Sequence, residues 1–120
     1  MRNLTVAQKS NLLCSAFEGG SNYWYCIAKF NKPKTIRSAT GEDAIFKHID
    51  YPLTGGSLVI KAQELDDKDY ILDAAAIKRG VKVMQEQYPQ QYADVLTEND
   101  DASTGDLFLQ CCLFGKAVFG

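Results

Sequence analysis

Ser103-Thr104-Gly105-Asp106-Leu107-Phe108-Leu109-Gln110-Cys111-Cys112-Leu113-Phe114-Gly115-Lys116-Ala117 is the stretch on which the fold turns. Its spacing predicts a helix capped by Ser103 or Thr104 and running to about Ala117. Leu107, Phe108, Cys111, Cys112, Leu113 and Phe114, with Val118 beyond them, leave this helix apolar on nearly every side. A helix of that kind belongs in the middle of a core, with the rest of the chain packed around it.

Working back from it, Pro89 opens a short helix over Gln90 to Leu96, and Asp73 caps a longer one that ends near Tyr88. Ile77, Val81, Met84 and Tyr88 form its apolar stripe. Gly80 inside that helix costs about 1 kcal/mol relative to Ala, which predicts that another element approaches closely there. At the other end of the chain Thr5 caps a helix reaching Phe17, and Gly19-Gly20 stops it. Ser21 then caps a second helix, Asn22 to about Phe30, with Tyr23, Ile27 and Phe30 on one face. These two helices make a hairpin whose tip is the turn Glu18 to Ser21.

Strand character is confined to residues 44–62, on both sides of Pro52-Leu53-Thr54-Gly55-Gly56. A hairpin with its loop starting at Pro52 pairs Tyr51 with Leu58 and Ile49 with Ile60. Lys32 to Gly41 reads as a basic loop and Glu64 to Asp69 as an acidic connector. The expected fold is α+β: a single, mainly helical domain of about four to five helices with one β-hairpin and a buried last helix.

Composition narrows the function class. The 120 residues are 46% hydrophobic and 23% charged, as in ordinary globular domains. Thirteen basic against fifteen acidic residues give a net charge of −2, which argues against duplex nucleic acid and anionic membranes as partners. With no apolar leader pattern near Met1 and no run long enough to cross a bilayer, the expected location is cytoplasmic. Cys14, Cys26, Cys111 and Cys112 lack metal-ligand spacing and read as buried free thiols. The lone His48, on a predicted strand beside Lys47 and Asp50, reads as a surface residue.

Two segments carry the candidate chemistry. Glu18-Gly19-Gly20-Ser21-Asn22-Tyr23-Trp24-Tyr25 combines a carboxylate, a glycine pair, small polar groups and three aromatic rings. Glycines permit close backbone approach and the rings offer stacking faces, although three consecutive aromatics on a helix cannot all point outward. The second segment, Glu98-Asn99-Asp100-Asp101 followed by Ser103-Thr104-Gly105-Asp106, places carboxylates where they complement a helix N-terminus. As a calcium loop it lacks the ligands and glycine of an EF-hand. A magnesium site built from Asp100, Asp101 and Asp106 with Glu18 is the metal-dependent alternative, and it would serve a phosphohydrolase. Neither Gly19-Gly20-Ser21 nor Gly55-Gly56-Ser57 matches a phosphate-binding fingerprint, though Ser21 at a helix start could still attract an anion.

The segment Glu18 to Tyr25, together with Asn99-Asp-Asp-Ala-Ser-Thr-Gly-Asp106, Phe108-Leu-Gln110 and Leu113-Phe-Gly-Lys-Ala-Val-Phe-Gly120, resembles a family of small phage and prophage proteins. That family pairs an EGGSNYW segment with a DADTAD-like segment, a Gln and a terminal aromatic-Gly. The resemblance covers both ends and not residues 32–69, and Ser103 and Gly105 depart from the family's Asp or Thr and Ala. It implies a phage-encoded accessory protein in the host cell, of the kind that antagonises host defence by stoichiometric binding.

The expected site gathers Glu18, Ser21, Asn22, Trp24, Tyr25, Asp101, Thr104 and Gln110, provided that the first hairpin tip meets the start of the last helix. Asn22 and Gln110 would read a base edge, Trp24 or Tyr25 would stack on it, and Glu18 or Asp101 would accept a ribose diol or an amine. Lys29, Lys32, Lys34 or Arg37 would have to offset Asp100 and Asp101 before a phosphate could approach. The expected partner is therefore a small nucleotide or a host defence protein, with no cofactor, or with magnesium under the hydrolase alternative. Gly80 and Gly115 also admit a structural role in a homo-oligomer.

Overall fold

The computed structural model describes residues 3–21, 23–31, 52–53, 55–62 and 68–119. Their order is α1 (Val6–Ser15), a π-helical turn (Ala16–Gly20), β1 (Tyr25–Asn31), β2 (Ser57–Ala62), β3 (Asp69–Leu72), α2 (Ala74–Gln87), α3 (Pro89–Leu96) and α4 (Ala102–Phe114). The architecture is α+β, with α4 at the centre. Nine of its residues are buried, Phe108, Leu109, Cys111 and Cys112 completely. A fully buried Phe or Leu side chain is stabilised by roughly 1.5–3 kcal/mol relative to an exposed one, so this helix anchors the core.

Both α1 and α2 pack on α4. Leu12 and Leu13 come from α1, Ile77 and Met84 from α2, and Tyr92 and Val95 from α3, each almost wholly removed from solvent. Gly80 is the close approach that the sequence predicts. A Cβ there would lie 2.3 Å from Cys112 Sγ and 3.0 Å from its backbone N and Cα. Arg79, next to it, donates to the Cys112 carbonyl and ties the two helices again.

Local chemistry explains the helix starts. Thr5 and Gln8 form a reciprocal capping box, Asp73 caps α2 through the Ala76 amide, and Pro89 occupies the first turn of α3. At α4 the cap is Asp101, not Ser103 or Thr104. Thr104 is the third residue of the box, its amide donating to Asp101 while its hydroxyl takes the Asp101 amide. Gly115, at φ +74, ends α4 in the left-handed conformation that glycine adopts most readily.

The strands differ from expectation. Tyr25–Asn31 is not a helix but β1, and among the described residues the sheet has three antiparallel strands in the order β1-β2-β3. Leu58 pairs with Phe30 and Leu72, and Ile60 with Ile27 and Tyr70, while their expected partners Tyr51 and Ile49 lie outside the described residues. Pairing across the sheet overrides the helical spacing of Ile27 and Phe30, and an irregularity between Ile27 and Lys29 accommodates the extra residue. Asp69, expected in a connector, begins β3 and pairs with Lys61, whose ammonium lies 3.2 Å from its carboxylate. The basic loop, His48 and the first half of the expected hairpin lie outside the described residues.

Candidate functional site

Two glycines bring the two candidate segments together. A Cβ on Gly20 would sit 2.1 Å from the Ala102 carbonyl oxygen, and one on Gly105 would sit 2.7 Å from the Leu12 carbonyl oxygen. Only hydrogen at these positions lets the start of α4 cross α1 and the π turn at such short range. The wider π turn then delivers the chain to Ser21, whose amide donates to the Ala16 carbonyl at 2.8 Å.

Asp106 is the centre of the resulting site. Its Oδ1 accepts from the Ser21 hydroxyl and from the Trp24 indole N–H, both at 2.7 Å. Its Oδ2 accepts from the Tyr23 hydroxyl, also at 2.7 Å. Ser21 and Trp24 are buried and Asp106 is 9% exposed. Three neutral donors therefore stand in for the water that a carboxylate loses on burial, and a hydrogen bond to a charged group contributes about 1.5–3 kcal/mol. Among the described residues every buried side-chain nitrogen and oxygen has a partner.

Gln110 lies one turn further along α4 and holds the segment that follows the helix. Its Oε1 accepts from the Val118 and Phe119 amides at 2.7 and 2.8 Å, and its Nε2 donates to the Phe119 carbonyl at 3.3 Å. The Tyr88 hydroxyl accepts from the Ala117 amide at 3.0 Å. This clamp lays the Phe119 ring parallel to Trp24, with centroids 5.1 Å apart and planes 12° apart. Tyr23 meets the same ring edge-on at 6.3 Å, and Phe114 packs on Trp24 at 5.4 Å. Offset-stacked and edge-to-face pairs add about 0.5–1.5 kcal/mol each to plain area burial.

The expected site residues divide accordingly. Ser21, Trp24 and Gln110 come together, through Asp106 and Phe119, but inside the molecule. Trp24 has its N–H on Asp106 and a face under Phe119, so it is a core ring and not an open platform. Tyr25 turns elsewhere, donating from its hydroxyl to the Phe17 carbonyl at 2.7 Å. Asp101 and Thr104 cap α4, and Glu18 is exposed on the π turn. Asn22 lies outside the described residues. No group of three or more His, Cys, Asp or Glu among the described residues could hold a metal ion.

Three members of the site escape the expectation: Asp106 as its hub, the Tyr23 hydroxyl and Phe119. The signal for Asp106 is legible in retrospect. A carboxylate between Gly105 and Leu107-Phe108-Leu109, on a helix apolar all round, must find buried donors, and Trp24 and Ser21 are donors.

Tyr23 is the outward part of this cluster. Its side chain is 55% exposed while its hydroxyl stays on Asp106. Lost hydration at the phenol, and then the hydrogen bond and negative charge of Asp106, push its pKa up to about 12 against a smaller opposing contribution from Gln110. The ring borders a cleft of about 520 Å³ whose walls include Ser103, Leu107, Ala117 and Phe119. Comparison with protein-family models, curated proteins and solved structures finds no match to the chain.

Proposed function

We propose that the protein acts by stoichiometric binding, without turnover, and presents the cleft beside Tyr23 to its partner. The observation that carries this reading is the exposed Tyr23 ring, tied down by the partly buried bond from its hydroxyl to Asp106. An exposed tyrosine fixed in one orientation loses little further freedom on association, and such aromatics anchor interfaces.

The inner polar groups are already committed. Asp106 holds three donors and Gln110 uses both ends of its amide, so a base edge would have to displace the 118–119 backbone before Gln110 could read it. A phosphohydrolase built on Glu18, Asp100, Asp101 and Asp106 would have to strip Asp106 of the same donors. Glu18 and Asp101 are exposed close in sequence to Gly20 and Ser103, which line the cleft. Asp106, the carboxylate among the cleft's described lining residues, suits a protein partner carrying Lys or Arg better than a phosphate-bearing nucleotide. Of the two ligand classes that the sequence admits, a host protein is thus favoured. The resemblance to phage accessory proteins makes that partner a defence protein and the role its occlusion in the host cytoplasm.

The test is a photo-crosslinking residue at position 23, used in the host cell, with position 90, exposed on α3 and outside both concave surfaces, as control. One host protein crosslinked from position 23 alone, and lost from a Tyr23→Ala complex in a two-component assay, is the expected result. A thermal shift with cyclic or ADP-ribose-derived nucleotides, with no crosslinked protein, would transfer the reading to nucleotide sequestration. Turnover of such a nucleotide with magnesium would overturn it.

A further inference from the structure

A second concave surface lies at the other end of α1. A groove of about 510 Å³ runs between the start of α1 and the outer side of α2. Leu53, Ile77 and Val81 give it apolar walls, Lys9, Lys78 and Lys82 stand along it, and no carboxylate is among its described lining residues. In a chain of net charge −2 this is a local reversal of sign. None of the three lysines is in an ion pair among the described residues.

Lys78 and Lys82 stand at i,i+4 on α2, where like charges destabilise a helix by about 0.2–0.5 kcal/mol. Two like charges kept together over an apolar groove are complementary to something acidic with apolar anchors. The concave shape disfavours a bilayer, which needs protruding apolar groups to insert. The described lining residues include no Phe, Tyr or Trp on which a base could stack, which disfavours single-stranded nucleic acid.

We propose that this groove binds an acidic amphipathic helix of a protein partner. Its apolar anchors would seat against Ile77 and Val81, and its flanking carboxylates would answer Lys9, Lys78 and Lys82. From Ile77 to Gln85, both lining residues, α2 advances about 12 Å, enough for anchors spaced i,i+4 on the partner helix. The proposal is independent of the Tyr23 cleft, because α1 and the π turn, about 20 Å of helix, separate the two surfaces.

A fluorescein-labelled helical peptide of about 14 residues, with leucines at i,i+4 and glutamates on the flanks, provides the probe. The control is the same peptide with each Glu replaced by Lys. Fluorescence anisotropy should show micromolar binding of the acidic peptide and at least about tenfold weaker binding of the control. Lys78→Gln with Lys82→Gln should weaken the acidic peptide by about tenfold or more, without lowering Tm, since it also removes a like-charge pair. Raising salt to about 300 mM should weaken binding further, and Tyr23→Ala should leave it unchanged. Equal binding of both peptides, or no loss in the double lysine variant or in Lys9→Gln, overturns the proposal. Lysine-dependent binding of a fatty acid in place of the peptide, or a dimer that dissociates in the double variant, would give the groove to a different occupant and overturn it as well.

Discussion

The indole N–H of Trp24 and the carboxylate of Asp106 meet at 2.7 Å across 82 positions of sequence. This single bond links the chain between the π turn and β1 to the central helix. The Ser21 hydroxyl on the same oxygen and the Tyr23 hydroxyl on the other make the link threefold. Because the network is buried, it fixes how the Tyr23 ring stands at the surface. Stability and the proposed binding face are therefore coupled through one carboxylate.

Tyr23 should titrate late. Its folded pKa is raised to about 12 from an ordinary value of 10.0, so the protonated phenol is the form that the native state favours. The stability tied to it is fully present below pH 10 and is lost as pH rises through about 12. Absorbance of tyrosinate against pH should show a late-ionising ring that disappears in Tyr23→Phe. Tyr25 is also shifted upward, by burial, so the difference between wild type and variant is the quantity to read. A Tyr23→Phe curve identical to wild type would contradict the hydrogen bond.

Gly80→Ala should destabilise the fold although alanine is the better helix former. The added methyl meets Cys112 Sγ and backbone at 2.3 to 3.0 Å, and overpacking of this kind costs about 1–3 kcal/mol against a gain of about 1 in propensity. Chemical unfolding should show a net loss, partly relieved by Cys112→Ala, which removes the sulfur but not the backbone contact. A gain in stability for Gly80→Ala alone would mean that α2 and α4 are further apart than described.

Thiol reactivity should separate the cysteines. The expectation of buried thiols holds for Cys111 and Cys112 in α4 but not for Cys26, which stands exposed on β1. Burial pushes the Cys111 thiol up to about 12 and raises Cys112 well above its ordinary range, so neither supplies thiolate near neutral pH. A disulfide reagent should modify one thiol rapidly in the native protein, a reaction lost in Cys26→Ser, while Cys14, half-buried, reacts more slowly. Cys111 and Cys112 should react only on unfolding. Rapid native modification of either would place α4 nearer the surface than its packing does.

How far the fold was legible in the sequence depends on how local its cause is. Thr5, Asp73 and Pro89 mark helix starts through bonds made within one turn, and the apolar run from Leu107 to Phe114 needs no partner to be read as central. The segment Tyr25–Asn31 becomes a strand because β2 pairs with it, and nothing within those residues encodes that partner. Leu58 and Ile60 were assigned to neighbours across the Pro52–Gly56 turn for the same reason: proximity in sequence stood in for a longer-range pairing. At α4, Asp101 and Thr104 form one box, and Thr104 alone resembles a cap because both members carry capping side chains.

The site follows the same division. That the segments Glu18–Tyr25 and Asp100–Asp106 carry unusual chemistry is visible in their composition, and Ser21, Trp24, Thr104 and Gln110 were named from it. That the chemistry points inward is not visible there, because burial is set by the close crossings at Gly20 and Gly105. Phe119 escaped notice because its role comes from the Gln110 clamp, a contact between side chain and backbone that leaves no pattern in sequence.

The most direct measurement of the central claim, that the two segments form one unit on Asp106, is a double-mutant cycle. Trp24→Phe removes the indole N–H, Asp106→Ala removes the acceptor, and chemical unfolding followed by circular dichroism gives the free energy of each variant and of the pair. Each single change should cost about 1–3 kcal/mol, and the pair should cost less than their sum by about 1 kcal/mol or more. Additive losses would mean that Trp24 and Asp106 stabilise the fold independently, and the single-site account would fail.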